Sequence, residues 1–416
     1  MTVTAPPTST PTPRARCALG PWAAYGLVTA VVGLALFASA TPSPLYATYR
    51  ELWGFSPTVL TLVFAVYAFG VLAALLLAGG VSDVVGRRPV LVAALATLIG
   101  TSLLFASAGS VGWLFAARAV QGVATGLALG AASAAMLDLH PRRDPAAVGL
   151  ANGVVSAAGM GLGTFVASVL VEVAPAPRVV PYLVLVVLFA VALAGALALP
   201  EPVAARSRPR PAPQAPRVPA AVRRPFLLAS LAVLSSWSIG GLFLALGPQL
   251  AGALFDTADH VVAGAVVLAL CGAGALSQLA FGRAAPWRCA TGGSIALSAG
   301  ILLIVAAAAA DSGPLLLLGA VVGGGGFGTA FLGALRALSV AIPPTHRAEV
   351  MSAFYVVAYA SLSLPAVLAG ALTTPLGLEA TFELIGGVVA ALALVVAAEA
   401  WRTRPAAARA AARAAA

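Results

Sequence analysis

The residues able to do chemistry are few and widely spaced. In Gly79-Gly80-Val81-Ser82-Asp83-Val84-Val85-Gly86-Arg87-Arg88-Pro89, one carboxylate and two guanidiniums sit among three glycines, between two long apolar runs. Such charges are expensive in hydrocarbon, so this stretch belongs where water and headgroups can reach it. A second cation, Arg118, lies inside an apolar run, with Gln121 and Thr125 following it and Asp138 near the run's end. On a helix Arg118 and Thr125 project within about 20° of each other and Gln121 about 60° away. An arginine this deep faces a bundle interior or an aqueous cavity. There it either ties helix dipoles and carbonyls together or serves function directly.

A third set is uncharged. Tyr67, Gln121, Ser235, Ser236, Trp237, Gln278, Tyr355 and Tyr359 fall near the middle of apolar runs. Aromatic and amide groups of this kind bind uncharged or weakly cationic amphipathic molecules by stacking and a few hydrogen bonds. The three cysteines (Cys17, Cys271, Cys289) and three histidines (His140, His260, His346) have no metal-ligand spacing. With no clustered carboxylates, no His/Cys set and no nucleotide-binding motif, the chain reads as neither an enzyme nor an ATP-driven pump.

These residues need a membrane to position them. Of 416 residues, 61% are hydrophobic and 9% charged, with a mean hydropathy of +1.02. The apolar residues come in runs near twenty long rather than in amphipathic stripes. Spans are predicted at 21–41, 57–79, 89–108, 111–137, 148–172, 180–199, 226–250, 261–281, 290–310, 314–341, 350–371 and 380–401. The first run ends in Ala38-Ser39-Ala40, similar to a signal-peptidase site, so a cleaved signal peptide is an alternative for it. The internal repeat described below requires it as a span.

The net charge of +10 does not point to nucleic acid, because the placement of its arginines follows topology. With the N-terminus inside, nineteen of the 23 basic residues fall on the cytoplasmic side. Arg50 and Arg178 fall outside, and Arg118 and Arg336 fall within spans. That asymmetry predicts both termini in the cytoplasm.

Residues 200–225 are rich in proline and arginine and read as a cytoplasmic linker. The chain therefore divides into a flexible cytoplasmic N-tail (1–20), a six-helix bundle (21–199), the linker, a second six-helix bundle (226–401) and a C-tail (402–416). The halves repeat. A shift of 201 places Arg87 on Arg288 and Gly122 on Gly323, and a shift of 202 places Val148, Ala151 and Leu162 on Val350, Ala353 and Leu364.

On these residues the chain resembles the major facilitator superfamily. Gly79, Asp83, Gly86, Arg87 and Arg88 match that family's motif between spans 2 and 3, with Val84 where a basic residue is usual. The resemblance implies a cytoplasmic gating latch, in which Asp83 meets the start of span 11, near Glu349 and Val350, in the outward-facing state. Leu114, Arg118, Gln121, Gly122 and Gly126 are similar to the second motif, whose arginine is linked to proton transfer. Gly153, Gly159, Gly161 and Gly163 resemble the glycine-rich motif of drug exporters without its usual Gly-Pro pair. Close helix packing explains those glycines equally well. Leu199-Pro200-Glu201-Pro202, and the run from Arg347 through Tyr355 and Tyr359 to Pro365, look like the same drug:proton antiporter group.

The expectation is an all-α membrane protein with twelve spans in two pseudo-symmetric six-helix bundles, the major facilitator fold. The expected function is proton-coupled efflux of small organic compounds by alternating access. Uptake or facilitated diffusion of a neutral metabolite such as a sugar is the alternative within transport, and a non-transporting membrane sensor the alternative outside it. Coupling is expected through Arg118, Asp83 and Asp138, and the substrate cavity from Tyr67, Gln121, Ser236, Trp237, Gln278, Tyr355 and Tyr359. The expected driving force is a proton gradient, without cofactor or metal. The expected partners are the lipid bilayer and a small-molecule substrate, with no nucleic acid, for a monomer in the plasma membrane.

Overall fold

The structure, a computed structural model, describes residues 19–78, 80–202, 216–343 and 346–404, without the side chains of Arg347 and Ala348. Gly79, linker residues 203–215 and most of both expected tails lie outside the described residues. Among the described residues every regular element is a helix. In the first half these are α1 (Pro21–Ala40), α2 (Leu45–Trp53), α3 (Pro57–Ala78), α4 (Val81–Val85), α5 (Arg87–Ala106), α6 (Val111–Leu139), α7 (Pro145–Val173) and α8 (Val180–Leu197). The second half holds α9 (Arg223–Leu254), α10 (His260–Phe281), α11 (Pro286–Ala309), α12 (Gly313–Ala341), α13 (Arg347–Leu376) and α14 (Leu378–Arg402).

These make 12 helical segments long and apolar enough to cross a membrane, with α1 and α2 forming one of them. The chain is a multi-pass membrane protein. An even number of spans puts both described ends on one face, called here the terminal face. The opposite side is the far face.

The helix ends fall near the predicted ones, and the departures have local causes. Span 5 begins early, at Pro145, because the Asp144 carboxylate accepts hydrogen bonds from the backbone N–H groups of Ala146 and Ala147 at 2.9 and 3.2 Å. Span 11 runs on to Leu376 through Pro365 and Pro375. Pro365 leaves the Ser361 carbonyl without its helical donor, and in hydrocarbon such a group must find another. The Ser238 hydroxyl of α9 lies 3.3 Å from this carbonyl, sharing its single proton with the Leu234 carbonyl of its own helix.

Packing repeats between the halves. In the first, α1 lies against α6 and α7, α3 against α6, and α5 against α6 and α8. In the second, α9 lies against α12 and α13, α10 against α12, and α11 against α12 and α14. The bundles meet mainly along α7 with α10 and α3 with α13, again a symmetric pair. The α1–α7 crossing shows what the span 5 glycines do. A Cβ at Gly159 or Gly163 would overlap the carbonyl of Gly33 or Phe37 on α1. Their absent side chains bring the two backbones together.

Candidate functional site

Proline chemistry shapes the far face. Pro248 interrupts α9 and deprives the Leu244 carbonyl of its helical partner. The Ser43 hydroxyl, between α1 and α2, donates to that carbonyl from the other half. Three further contacts bridge the halves on this side. Arg50 Nη1 donates to Gln249 Oε1 at 3.1 Å, Thr58 to the Gly370 carbonyl at 3.2 Å, and His260 Nδ1 lies 3.0 Å from Glu172 Oε2. The far face is closed.

Toward the terminal face the halves part around a cavity of about 410 Å³. Its wall comes from α1, α3, α6 and α7 on one side and α9, α10, α12 and α13 on the other, while α5, α8, α11 and α14 contribute nothing. The lining runs from a mid-span layer around Phe64, Tyr67, Trp237 and Tyr359 to Leu76, Gly149, Leu335 and Met351 near the terminal-face helix ends. The second half supplies an aromatic wall. The Trp237 ring stands edge-on to Tyr359 and tilted against Phe331, both with centroids 5.5 Å away. Such pairs contribute about 0.5–1.5 kcal/mol each beyond burial, enough to hold the indole in one orientation.

The first half supplies a polar wall. Ser133 donates to Asn152 Oδ1 at 3.4 Å, Ser156 donates to the Asn152 carbonyl at 2.6 Å, and all three residues line the cavity. Across the gap Gln278 reaches the Gly153 carbonyl at 3.5 Å. None of the thirteen acidic residues touches this wall. The cavity can stack and hydrogen-bond a small molecule, but it offers no carboxylate.

Arg118 sits one layer behind. It is 1% exposed, and its position follows from the end of α1. Pro42 has no N–H, so the Ala38 carbonyl loses its donor, and the Ser43 N–H turns back to Ala40, which frees Ser39. Gln121 Nε2 donates to the Ala38 carbonyl at 3.0 Å and Arg118 Nη1 to the Ser39 carbonyl at 2.8 Å. Arg118 also donates to Gln121 Oε1 at 2.8 Å and to the Tyr46 hydroxyl at 2.8 and 2.6 Å. The rings of Tyr67 and Phe105 lie 5.2 and 5.8 Å from its guanidinium carbon. Among the described residues no carboxylate lies within ion-pairing distance of it.

The stretch around Asp83 is built on one glycine. Gly86 has φ of +110°, which ends α4 and starts α5, and a Cβ there would meet the Glu201 carboxylate. Glu201 accepts hydrogen bonds from the Arg87 and Arg88 backbone N–H groups, each at 3.0 Å. An anion on a helix N-terminus is favourable, and this one pins the start of span 3 to the end of span 6. The Arg87 side chain pairs with Asp83 at 2.5 Å and with Asp138 at 3.1 Å. Asp83 is expected at the start of span 11 in the outward-facing state. Its ion-pair partner among the described residues is Arg87, and its side chain is 59% exposed. The latch expectation concerned the outward-facing state, whereas here it is the far face that is shut.

Of the residues expected to line the cavity, Tyr67, Trp237, Gln278, Tyr355 and Tyr359 lie on its wall. Gln121 and Ser236 do not. Gln121 is held against α1, and the Ser236 hydroxyl, like that of Ser235, turns back to the Ala232 carbonyl of its own helix. Sequence reasoning missed Ser39, Ser133, Asn152, Ser156 and Ser352. One signal was available, since Asn152 is the only asparagine in the chain and falls in a predicted span.

The comparisons agree with this architecture. The sequence matches the family description Major Facilitator Superfamily over residues 28–310. The crystal structure of the human organic anion transporter MFSD10 (TETRAN) is similar with a TM-score of 0.66 at 16% identity, covering 91% of this chain and 100% of that one. A POT family transporter in complex with 5-aminolevulinic acid is similar with a TM-score of 0.73 at 12% identity, covering 92% of this chain and 96% of that one. No curated protein matches the sequence. At these identities the structural likeness is one of fold, while the family match spans more than half of the chain. The chain belongs to the Major Facilitator Superfamily and is a transporter of that fold, not an enzyme.

Proposed function

We propose that this transporter takes small organic amphipathic molecules into the cavity between its halves and exports them by alternating access, driven by a proton gradient. It works as a monomer in the plasma membrane with both termini cytoplasmic, an orientation supported by the arginine distribution. The observation that carries this reading is the cavity, walled by both halves and by aromatic and uncharged polar groups. With the termini in the cytoplasm, a closed far face and a lining that reaches the terminal face describe a state loaded from inside. Small organic molecules are also named for both similar structures, an organic anion transporter and a complex with 5-aminolevulinic acid.

Coupling is assigned to Asp83, Asp138 and Arg118. Asp83 and Asp138 share Arg87, so a proton on either carboxylate weakens a clamp between α4, α5 and α6. A second reading has its own support. The absence of any acidic residue from the cavity wall favours uptake or facilitated diffusion of a neutral metabolite such as a sugar.

Vesicles of known orientation, supplied from outside with a panel of labelled small organic compounds, separate the two. Accumulation that requires a pH gradient and is lost in Trp237→Ala and Tyr359→Ala supports proton-linked export. Equilibration indifferent to the gradient supports the second reading. If Asp83→Asn and Asp138→Asn both leave gradient-driven transport intact, the assigned coupling route is abandoned.

A further inference from the structure

We infer that the cavity selects anionic over cationic amphiphiles, and that Arg118 sets this preference from behind Tyr67 and Ser39. The inference rests on the cavity being the cargo site. It departs from the expectation of an uncharged or weakly cationic cargo drawn from the aromatic and amide residues.

All thirteen acidic residues are described and none is on the wall, so nothing there attracts a cation by charge. Arg118 is buried, and its hydrogen-bond partners are two carbonyl-type oxygens and a phenol, all neutral. The last turn of α1 offsets it in part, since a helix C-terminus carries roughly half a negative charge. The remainder is uncompensated. The other intramembrane arginine, Arg336, has the same sign and is held by the carbonyls of Gly282 and Ala284 near the terminal face.

Tyr67 and Ser39 both line the cavity. The guanidinium carbon is 5.2 Å from the Tyr67 ring centre, and Nη1 is 2.8 Å from the Ser39 carbonyl. A single side chain thus separates the cation from bound cargo, in surroundings that screen charge poorly. The same geometry blunts the attraction of aromatic rings for cations, because Tyr67 already has Arg118 over its ring.

A further observation is independent of charge. The indole Nε1 of Trp237 is buried at the cavity wall and has no hydrogen-bond acceptor among the described residues. Buried donors are rarely left unpaired, and an oxygen of an anionic cargo would supply the acceptor.

The test measures binding of three radiolabelled probes of matched shape: 1-naphthoate, 1-naphthylmethanol and 1-naphthylmethylammonium. Equilibrium dialysis uses the full chain in zwitterionic nanodiscs, with empty discs as the blank. The expected order is anion, neutral, cation, with an anion-to-cation ratio of roughly tenfold, equivalent to about 1.4 kcal/mol. Arg118→Lys should keep this ratio and Arg118→Gln should bring it close to one. An unchanged ratio in well-folded Arg118→Gln overturns the inference. Where that variant does not fold, the wild-type ladder decides, and a cation bound as tightly as the anion overturns it. Equal binding of all three probes, abolished by Trp237→Ala, leaves the cavity as the cargo site and removes only the charge preference. Binding indifferent to Trp237→Ala overturns the cavity reading, and the preference falls with it.

Discussion

The hydroxyl of Ser43 donates to the carbonyl of Leu244, the oxygen that Pro248 leaves without its helical donor. One half of the transporter thereby repairs a break in the other across the closed far face. Opening that face exposes the Leu244 carbonyl, where water can replace the lost donor. This contact joins helix chemistry to the conformational equilibrium.

Ser43→Ala should therefore favour opening of the far face. Losing the bond and leaving a buried acceptor unpaired costs about 1–2 kcal/mol, a five- to thirtyfold shift in a two-state population. Labelling of a cysteine introduced at Thr58, by an impermeant maleimide from the far side, should speed up accordingly. An unchanged rate would mean that the contact does not report on closure.

The end of α1 offers a test by compensation. Gln121→Leu leaves the Ala38 carbonyl unpaired and should lower stability by about 1–3 kcal/mol. Pro42→Ala returns a backbone N–H that can serve the same carbonyl, so the cost of Gln121→Leu should shrink in that background. Thermal unfolding of the four proteins gives the interaction energy, and strict additivity would show that the freed carbonyl is not what holds Gln121.

At the α1–α7 crossing, Gly163→Val should force the helices apart. Overpacking of this kind costs about 1–3 kcal/mol, read as a lower midpoint of thermal unfolding. Gly149→Ala, where a new Cβ meets nothing within 4 Å, serves as the control and should leave the midpoint in place.

Glu201→Gln should loosen the start of α5. The amide keeps an acceptor but loses the charge that the two N–H groups bind, and charge-assisted bonds are about twice as strong as neutral ones. Hydrogen exchange at Arg87 and Arg88 should accelerate while exchange in α11 stays constant. Equal protection in both proteins would assign the anchoring to Arg87 and its carboxylates instead.

The spans were readable because apolar runs near twenty residues have one stable state in a bilayer, and prolines mark their ends. The short helices α2 and α4 were not readable, since nine and five residues carry too little periodicity to stand out. Each proline does identify the carbonyl it frees four residues earlier. Its replacement donor comes from a distant helix, however, as the shared Ser238 hydroxyl does for Ser361 and Gln121 for Ala38, and only the fold brings those together. Asn152 shows the limit within a single helix. Its type and its place in a span were readable, but which face of α7 meets the cavity is set by packing against α1 and α10.

The most direct test of alternating access around this cavity is pulsed electron–electron distance measurement on two spin-label pairs. One pair, at Leu137 and Val340, spans the terminal face; the other, at Glu51 and Ala253, spans the far face. All four positions are exposed. Alternating access around this cavity requires two populations for each pair, with the far pair lengthening as the terminal pair shortens, and Ser43→Ala shifting both toward the far-open state. Single distributions that are unaffected by Ser43→Ala would contradict it.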